Sequence, residues 1–180
     1  MTGLVPNREL KHYCADFRGV RRVLRAIGAR RGWTRTQVDT YYRVPARDGR
    51  RWRLKLRVER GRRTLIAYTD EFLDEQRSVQ YAVVEVAHPA VGRVLASSLG
   101  VSAVVRKRRE QWRSGTTLFN LDTIDGVGRV FEVEVRAHDG EQAAARIAEY
   151  RALFGPHLGR PVLASNEDLL AARAEGSRPC

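Results

Sequence analysis

The amino-acid sequence predicts an α+β fold, an eight-stranded antiparallel β-barrel with flanking helices. About eight segments alternate apolar and polar residues with the period of two that strands show. Most of these segments are joined by short turns, which antiparallel neighbours allow. The strands are charged on one face and apolar on the other, so they suit a barrel with a polar, ligand-holding interior and an apolar outside that helices partly cover.

The clearest strand pair is the segment 118–136, where two alternating runs flank a turn rich in Asp and Gly. Carboxylates gathered on one face of a sheet repel each other, so they need a metal ion or Lys and Arg among them. The simpler alternative is the solvated outer face of a half-buried sheet. The apolar face carries Phe119, Leu121, Phe131, Val133 and Val135, and the polar face carries Asn120, Asp122, Glu132 and Glu134.

Six further strands are expected before this hairpin. In the last of them, Lys107 and Arg109 share one face, whereas Arg106 and Arg108 share the other. The predicted strand ranges are 5–14, 37–44, 51–60, 63–70, 78–86 and 103–113.

Four helices are predicted from their caps and from apolar residues at helical spacing. The polar side of the first carries Arg18, Arg21, Arg22 and Arg25, which form either a phosphate-binding face or, more simply, a solvated one. The helices are expected from Asp16 to about residue 29, from Pro89 to Gly100, over roughly 141–154, and after a capping box formed by Ser165 and Asp168.

Composition indicates a globular chain with an anionic partner. Its 180 residues suggest one domain over 1–180, with a flexible tail from about residue 175. The net charge of +12 and the pI of about 10.7 favour nucleic acid, a nucleotide or polyphosphate as that partner. No stretch is long and apolar enough to cross a membrane, the N-terminus has no signal-peptide core, and Cys14 and Cys180 lack metal-ligand spacing. We therefore expect a cytoplasmic protein with free thiols.

The residues expected inside the barrel include both signs of charge. Basic side chains can hold phosphate oxygens, with Arg suited to bidentate contacts. Acidic side chains can hold Mg²⁺ or Mn²⁺. The expected interior set is Glu9, Lys11, Arg53, Lys55, Arg57, Lys107, Arg109, Asp122, Glu132 and Glu134.

At these positions the chain resembles a known family. Asn7-x-Glu9-x-Lys11 resembles the ExExK signature of the CYTH superfamily, the triphosphate tunnel metalloenzymes. Later segments resemble other parts of that family in order, over nearly the whole chain. They are Gln37-x-Asp39-Thr-Tyr41, Leu54-Lys55-Leu56-Arg57, Lys107-Arg108-Arg109, the hairpin with Leu121-Asp122, Gly128 and Phe131-Glu132-Val133-Glu134, and Ser165-Asn-Glu-Asp168-Leu-Leu, which resembles the end of class IV adenylyl cyclase-like members.

The resemblance implies a tunnel that binds a triphosphate with Mg²⁺ or Mn²⁺, as in class IV adenylyl cyclases, thiamine triphosphatases and inorganic triphosphatases. The implied activity is in-line attack by water or a ribose hydroxyl while metal and cations neutralise the phosphate oxygens. Carried over residue by residue, the metal ligands are Glu9, Asp122, Glu132 and Glu134. The phosphate-binding residues are Lys11, Arg53, Lys55, Arg57, Lys107 and Arg109, of which Lys11, Arg57, Lys107 and Arg109 are the catalytic candidates.

Two departures from the family pattern affect these expectations. Asn7 replaces the first Glu of ExExK, which should weaken metal binding or remove one of two metals. The strand 63–70 offers no inward Lys or Arg near Tyr68-Thr69-Asp70, where Arg77 could substitute from the following loop. The substrate and the rate can therefore differ from those of other members.

Three functions stay open from the sequence. The first is a metal-dependent enzyme on a triphosphate, and the second is a nucleotide- or polyphosphate-binding module without turnover. The third is an RNA-binding protein that uses Arg106, Lys107, Arg108 and Arg109 beside Trp112. We expect a small triphosphate as the partner rather than nucleic acid or a membrane, and a homodimer stays open.

Overall fold

The computed structural model describes residues 5–47, 49–73, 76–136 and 140–176. Eight strands form one closed barrel in the order β1-β5-β4-β3-β2-β6-β7-β8, and β8 pairs with β1 to close it. Each neighbouring pair is antiparallel, so the predicted fold class is confirmed. The strands are β1 Val5–Tyr13, β2 Arg30–Tyr42, β3 Trp52–Glu59, β4 Arg62–Leu73, β5 Gln76–Glu85, β6 Val101–Ser114, β7 Thr117–Ile124 and β8 Gly128–Arg136.

Four α-helices accompany the barrel in the described part of the chain, together with a 3₁₀ turn at Gly155–His157. Among the described residues, none of them combines the length and the apolar character that a membrane span requires. The tail predicted from about residue 175 lies mostly outside the described residues. The helices are α1 Arg18–Ala26, α2 Val91–Leu99, α3 Gly140–Phe154 and α4 Asn166–Gly176.

Several element boundaries differ from the sequence-based expectation. β2 begins at Arg30 rather than at residue 37, because its polar first half pairs with the end of β6 across a bulge near Gly32. α1 ends at Ala26 rather than at about residue 29, and Gly28, which also marks the end of this helix in the sequence, adopts a φ of 70° just after it. The apolar pattern does not mark the start of β2, because its pairing partners decide it.

The main hydrophobic core lies outside the barrel wall, where α1 and α3 pack against β1, β7 and β8. All five residues of the predicted apolar hairpin face are at most 2% exposed. The Phe131 ring lies 4.8 Å from that of Phe154 of α3 at a tilt of 52°, and Phe119 makes an edge contact with Tyr150 at 5.0 Å. Because this core covers the outside, the opposite face of the same strands is left to line the interior.

α4 covers one end of the barrel. The segment before it pairs with β1 beyond the point where β5 stops, through Gly159 N–H to the Tyr13 carbonyl at 2.7 Å and Val162 N–H to the Lys11 carbonyl at 2.9 Å. The predicted capping box then starts the helix: Ser165 N–H donates to Asp168 Oδ2, and Asp168 N–H donates to Ser165 Oγ, both at 3.2 Å. Leu169 and Leu170 pack against a second apolar cluster that fills this end of the barrel.

Candidate active site in the barrel interior

A cavity of about 360 Å³ runs through the barrel, and all eight strands contribute to its lining. Side chains alternate along each strand, so the residues opposite the external core project into this space. We call the charged strand residues that line the inner part of this space, or that join the same ion-pair network, the interior charge set. Glu59, Arg62 and Arg136 line the outer part and are not included. Within the described residues the set comprises the basic Lys11, Arg53, Lys55, Arg57, Arg77, Lys107 and Arg109 and the acidic Glu9, Asp39, Asp70, Asp122, Glu132 and Glu134.

The wall formed by β2 and β3 is organised by Asp39, which is fully buried. Its carboxylate accepts two hydrogen bonds from the Arg57 guanidinium at 2.7 Å and one from Lys55 Nζ at 3.1 Å. Burial lowers the pKa of Lys55 to about 7, and the neighbouring Arg57 also disfavours a second positive charge. Asp39 therefore has to compensate two basic groups, Lys55 and Arg57, with one carboxylate.

The adjoining wall places Lys107 and Arg109 of β6 against Asp122 of β7. Lys107 Nζ lies 3.0 Å from Asp122 Oδ2, and Arg109 contacts both Asp122 oxygens at 2.7 and 2.6 Å. Arg109 also donates to Glu132 at 2.9 Å. Burial alone would raise the pKa of Asp122, but Arg109 and Lys107 hold this pKa below its ordinary value. Burial, with Arg109 beside it, lowers the pKa of Lys107.

The acidic side of the cavity is formed by β1 and β8, where Glu9 and Glu134 are direct cross-strand partners. Arg77 donates to Glu9 at 3.0 Å, and Asn120 Nδ2 bridges Glu132 and Glu134 at 3.2 and 2.6 Å. Burial raises the pKa of Glu9 to about 7 despite Arg77, with Glu132 and Glu134 adding to the rise. Burial and Glu132 likewise raise the pKa of Glu134. Negative charge is thus under-compensated on this side.

Lys11 joins the acidic side to the closed end of the barrel. Its ammonium donates to Asn166 Oδ1 at 2.6 Å and to the Ala164 carbonyl at 3.3 Å. Burial lowers the pKa of Lys11 to about 8, although Glu132 favours the charged form. Asn166, the first residue of α4, thereby lines the same cavity as the charged strands.

The opposite end of the cavity is partly aromatic. Trp33 and Tyr81 line it there, and the Arg35 guanidinium stacks on the Trp33 ring at 4.6 Å from its centroid. Glu59 fixes Arg35 at 2.5 Å and also accepts from Gln37 Nε2 at 2.6 Å. The second amide atom, Gln37 Oε1, is buried and finds no hydrogen-bond donor among the described residues. We call this end the mouth of the cavity. It can pack against a ring of a ligand and accept a hydrogen bond from it.

A CYTH domain family model matches residues 6–156. The chain belongs to the CYTH family. No curated protein sequence matches it significantly. The resemblance identified at the ExExK-like strand and the acidic hairpin therefore extends over most of the chain.

Solved structures share this CYTH fold. The PH1012 protein from Pyrococcus horikoshii OT3 is 22% identical with a TM-score of 0.75, covering 91% of this chain and 98% of that one. A proposed adenylate cyclase from Vibrio parahaemolyticus is 18% identical with a TM-score of 0.69, covering 94% and 99%. HpAC1 from Hippeastrum, a proposed adenylyl cyclase with a dominant triphosphatase activity, is 15% identical with a TM-score of 0.63, covering 96% and 97%. At these identities the likeness establishes the fold.

The acidic side of the tunnel fits a divalent cation in part. No group of three or more His, Cys, Asp or Glu side chains with metal-binding geometry occurs among the described residues. However, Asn7 Nδ2 donates to Glu9 at 3.1 Å, and buried Asn7 Oδ1 has no hydrogen-bond donor among the described residues. An unpaired amide oxygen beside Glu9 and Glu134 suits Mg²⁺, which is commonly bound through one or two carboxylates together with substrate phosphates.

Two of the predicted site residues lie at the edge of this constellation. Asp122 is fully engaged by Lys107 and Arg109, so its oxygens are committed to holding those cations. Arg53 is directed to the closed end, where it contacts Glu167 at 2.9 Å and Asp168 at 2.7 Å in α4. Neither residue borders the cavity. The other eight residues predicted to bind metal or phosphate all line it.

Arg77 occupies the place of the missing basic residue, but from a strand rather than from a loop. The expectation of a loop through residues 71–77 is wrong, because β4 continues to Leu73 and β5 already begins at Gln76. Arg77 donates to Asp70 at 2.9 Å as well as to Glu9, and it lines the cavity. The pairing of β4 with β5 therefore determines the position of Arg77.

Sequence reasoning omitted three groups of the tunnel from the site. Asp39 and Asp70 orient the basic residues, and Asn166 reaches the cavity from the far end of the chain. Alternation within β2 could have found Asp39, since it shares a face with Tyr41. Asn166 gives no such signal, because only the packing of α4 onto the barrel brings it to Lys11.

Proposed function

We propose that the tunnel binds a triphosphate together with Mg²⁺ or Mn²⁺ and catalyses cleavage of a phosphoanhydride bond. The observation that carries this proposal is the cluster of three buried lysines, Lys11, Lys55 and Lys107, whose pKa values are all lowered. Burial without sufficient negative charge makes each ammonium costly. A polyanion in the cavity supplies that charge and restores the protonated form of the lysines.

The arginines supply the directional part of phosphate recognition. Arg57 and Arg109 are each clamped by a carboxylate, Asp39 and Asp122 respectively. A guanidinium held in this way presents its remaining N–H groups in a fixed geometry that matches phosphate oxygens. Groups oriented before the substrate arrives lose little entropy when the transition state forms, which is how charge stabilisation becomes catalytic.

Glu9 and Glu134, with Asn7 Oδ1, are the residues that would hold the metal in this proposal. A bound divalent cation would neutralise phosphate oxygens and favour in-line displacement. Asn120 holds Glu134 and Glu132 in place, and Arg77 restrains Glu9. Lys107 and Arg109 of β6 would stabilise charge on the phosphate being transferred, with Arg109 only 3.6 Å from Glu134.

The mouth of the tunnel supports an organic triphosphate as the substrate. Trp33 offers a ring surface, and Gln37 Oε1 offers an unused acceptor for an N–H or O–H group. The basic residues lie deeper, so a phosphate chain would point inward with its organic group at the mouth. HpAC1, which shares the fold, is described as having a dominant triphosphatase activity, and this supports testing hydrolysis first.

A second candidate function is a triphosphate-binding module with little or no turnover. It is favoured by Asn7, an uncharged residue at the first position of the ExExK-like strand. Because an amide oxygen attracts a cation less than a carboxylate does, the metal could bind too weakly to support catalysis. In this second candidate the protein binds the triphosphate but does not cleave it.

A substrate and product screen tests the proposal. Purified protein is incubated with ATP, GTP, thiamine triphosphate and tripolyphosphate in Mg²⁺, Mn²⁺ or chelator, and phosphate, pyrophosphate and cyclic nucleotide are each quantified. Metal-dependent release of phosphate indicates hydrolysis, whereas pyrophosphate with cyclic nucleotide indicates cyclisation. Calorimetric binding without any product supports the non-catalytic module. Neither binding nor product with all four compounds overturns both functions.

A further inference from the structure

The tunnel does not account for the basic character of this protein. Within the described residues, the interior charge set holds seven basic and six acidic side chains, so it contributes about one of the twelve net positive charges. The surplus therefore lies elsewhere on the chain. An interior nearly balanced in charge and a strongly positive exterior call for separate explanations.

Part of this surplus is concentrated on the outer face of β6. Arg106 and Arg108 project outward there and are both exposed. On the same face, Glu110 is buried beneath Arg21 of α1 at 3.0 Å and Arg31 of β2 at 3.7 Å. From residue 106 to residue 112 a strand extends about 20 Å. Two arginines of β6 are thus continued along the strand by Arg21 and Arg31, which reach its outer face from neighbouring elements.

Neighbouring elements widen this basic face. Arg25 of α1 lies over the Trp112 ring at 5.9 Å, which places it beyond Glu110 on the same line. Across β7, Thr123 pairs with both Arg108 and Arg129, so Arg129 lies two strands from Arg108. We call this set the outer basic stripe: Arg21, Arg25, Arg31, Arg106, Arg108 and Arg129.

Negative charge close to the stripe is limited. Glu110 is already shared by two arginines, and Asp125 stands at one end, in the turn whose backbone N–H donates to the Arg106 carbonyl. Asp16 also lies close enough to Arg21 to interact with it electrostatically, so six guanidinium groups face three carboxylates. Guanidinium groups match phosphate oxygens well, because each presents several N–H donors in a plane.

The stripe has the chemistry of backbone recognition rather than of base or protein recognition. Trp112 is only 4% exposed, so it is not available to stack on a base. Protein interfaces usually carry an apolar or aromatic centre. Here the exposed apolar residue is Val104, which stands at the end of the row next to Arg106. A linear chain of phosphates needs no apolar contact and follows a straight row of cations.

We propose that the outer basic stripe is a second binding surface, separate from the tunnel, for the phosphate backbone of nucleic acid. The stripe extends sideways to Arg129, two strands from Arg108, and is therefore wider than a single thread of phosphates such as polyphosphate needs. Binding depends on contacts to successive phosphates and not on base identity. The sequence alone pointed away from a nucleic-acid partner. The structure changes that view because it brings Arg21, Arg31 and Arg129 from other elements to the side of β6 that carries Arg106 and Arg108.

Fluorescence polarisation of labelled nucleic acids that carry no terminal triphosphate tests this surface. Single-stranded RNA and duplex DNA of about 20 nucleotides serve as probes and long-chain polyphosphate as a competitor, from about 50 to about 200 mM salt. We expect binding that weakens with salt, with a log–log slope of about −0.7 to −0.9 per phosphate contact. Binding of either nucleic acid at low salt supports the proposal, whereas binding of polyphosphate without binding of RNA or DNA overturns it.

The variant Arg106→Glu with Arg108→Glu is compared with Arg50→Glu with Arg146→Glu, which makes the same change in charge at exposed positions away from the stripe. The first should weaken polymer binding about 10-fold or more and lower the salt slope by about two contacts, whereas the second should change affinity less than about 3-fold. Triphosphate binding in the tunnel, measured in parallel, should be unchanged in both variants, which shows that they fold. Equal losses in the two variants, or no polymer binding by the unmodified protein at low salt, would overturn the proposal.

Discussion

β6 presents two sets of basic residues that alternate along one strand but lie in different environments. Lys107 and Arg109 point inward, are 2% and 7% exposed, and contact Asp122. Arg106 and Arg108 point outward and are exposed. Residue type is almost the same on the two faces. What differs is burial and the presence of a fixed carboxylate, and these decide whether a cation is held in one geometry or moves in solvent.

The comparison also bears on stability. Buried ion pairs are an inefficient source of folding free energy, because desolvation offsets most of their attraction. Thirteen charged groups in one tunnel therefore make little sense as a stabilising core. The apolar core between the barrel and α1 and α3 supplies that role instead. The inner charges are better explained as groups held in place for a charged ligand.

The largest expected effect comes from removing inward cations of β6. Lys107→Ala or Arg109→Ala should weaken triphosphate binding or turnover by about 10-fold or more, because a charge-assisted hydrogen bond contributes about 1.5–3 kcal/mol. Arg106→Ala and Arg108→Ala should change either quantity less than about 2-fold, because exposed charges contribute little. Calorimetry and phosphate release on the four variants measure the contrast.

The control for this experiment addresses folding. Loss of Arg109 removes the bidentate partner of Asp122 and one of the donors to Glu132, which can destabilise the barrel. Arg109→Lys keeps the charge and loses the bidentate fork, so it should retain stability in a thermal melt and still bind the triphosphate more weakly. If all four alanine variants lose affinity equally, inward and outward residues are not distinguished and the tunnel is not the binding site.

Alternation made most of this comparison predictable from the sequence. A period of two places Lys107 with Arg109 and Glu132 with Glu134 whatever the partner strands are. The apolar face of 118–136 likewise identified the side covered by helices. Local pattern is enough to assign side chains to faces when a strand has one polar and one apolar face. The two sets of side chains cannot exchange faces without a shift in register.

The remaining parts of the site depend on contacts that sequence spacing does not encode. Arg53 shares a face with Lys55 and Arg57, yet α4 supplies carboxylates that draw it to the closed end. Arg77 was expected in a loop because residues 71–77 look polar, although pairing between β4 and β5 continues almost to the turn. In each case contacts with another segment of the chain determine where the side chain lies.

The acidic side of the tunnel provides the second test. Asn7→Glu adds a carboxylate next to Glu9 and Glu134 and should tighten Mg²⁺ or Mn²⁺ binding in the presence of a triphosphate by roughly 5- to 10-fold. Asn7→Gln, which has the length of Glu without its charge, is the matched control and should not. Calorimetry of metal with and without ligand gives both affinities. A folded Asn7→Glu variant with unchanged metal affinity and unchanged activity would place Asn7 outside the metal site.

The two faces should also respond differently to pH. The pKa of Lys55 is lowered to about 7 and that of Lys11 to about 8, so both lose their charge as pH rises above neutrality. Triphosphate affinity should therefore fall several-fold between about pH 6.5 and about pH 9, and binding near neutral pH should take up protons. Polymer binding to the outer arginines should stay constant, because arginine remains protonated over this range.

Lys55→Arg is the matching control for the pH experiment. Arginine keeps its charge, so the variant should show a flatter pH dependence and a smaller proton uptake, measured by calorimetry in buffers of different ionisation enthalpy. The pH dependence of metal affinity should have the opposite sign to that of triphosphate affinity. The pKa of Glu9 is raised to about 7, so deprotonation must accompany metal binding at lower pH and metal affinity should rise through neutrality. An unaltered pH profile in Lys55→Arg would show that another group controls affinity.

The smallest effect is expected at the mouth, where the inner face meets solvent. Trp33 lines the cavity while Arg35 stacks on its ring, so the indole is held in place but only partly buried. Stacking of a base on an aromatic side chain is worth about 1–3 kcal/mol, and partial exposure should bring the loss in Trp33→Ala to the lower end, about 5-fold for ATP. Tripolyphosphate has no ring, so its affinity should not change. Trp33→Phe should recover most of the ATP affinity, because a smaller ring still stacks. Equal losses for both ligands would indicate that Trp33 supports the structure of the mouth and does not contact the substrate. A loss confined to ATP would show that the tunnel distinguishes an organic triphosphate from an inorganic one through contact with Trp33.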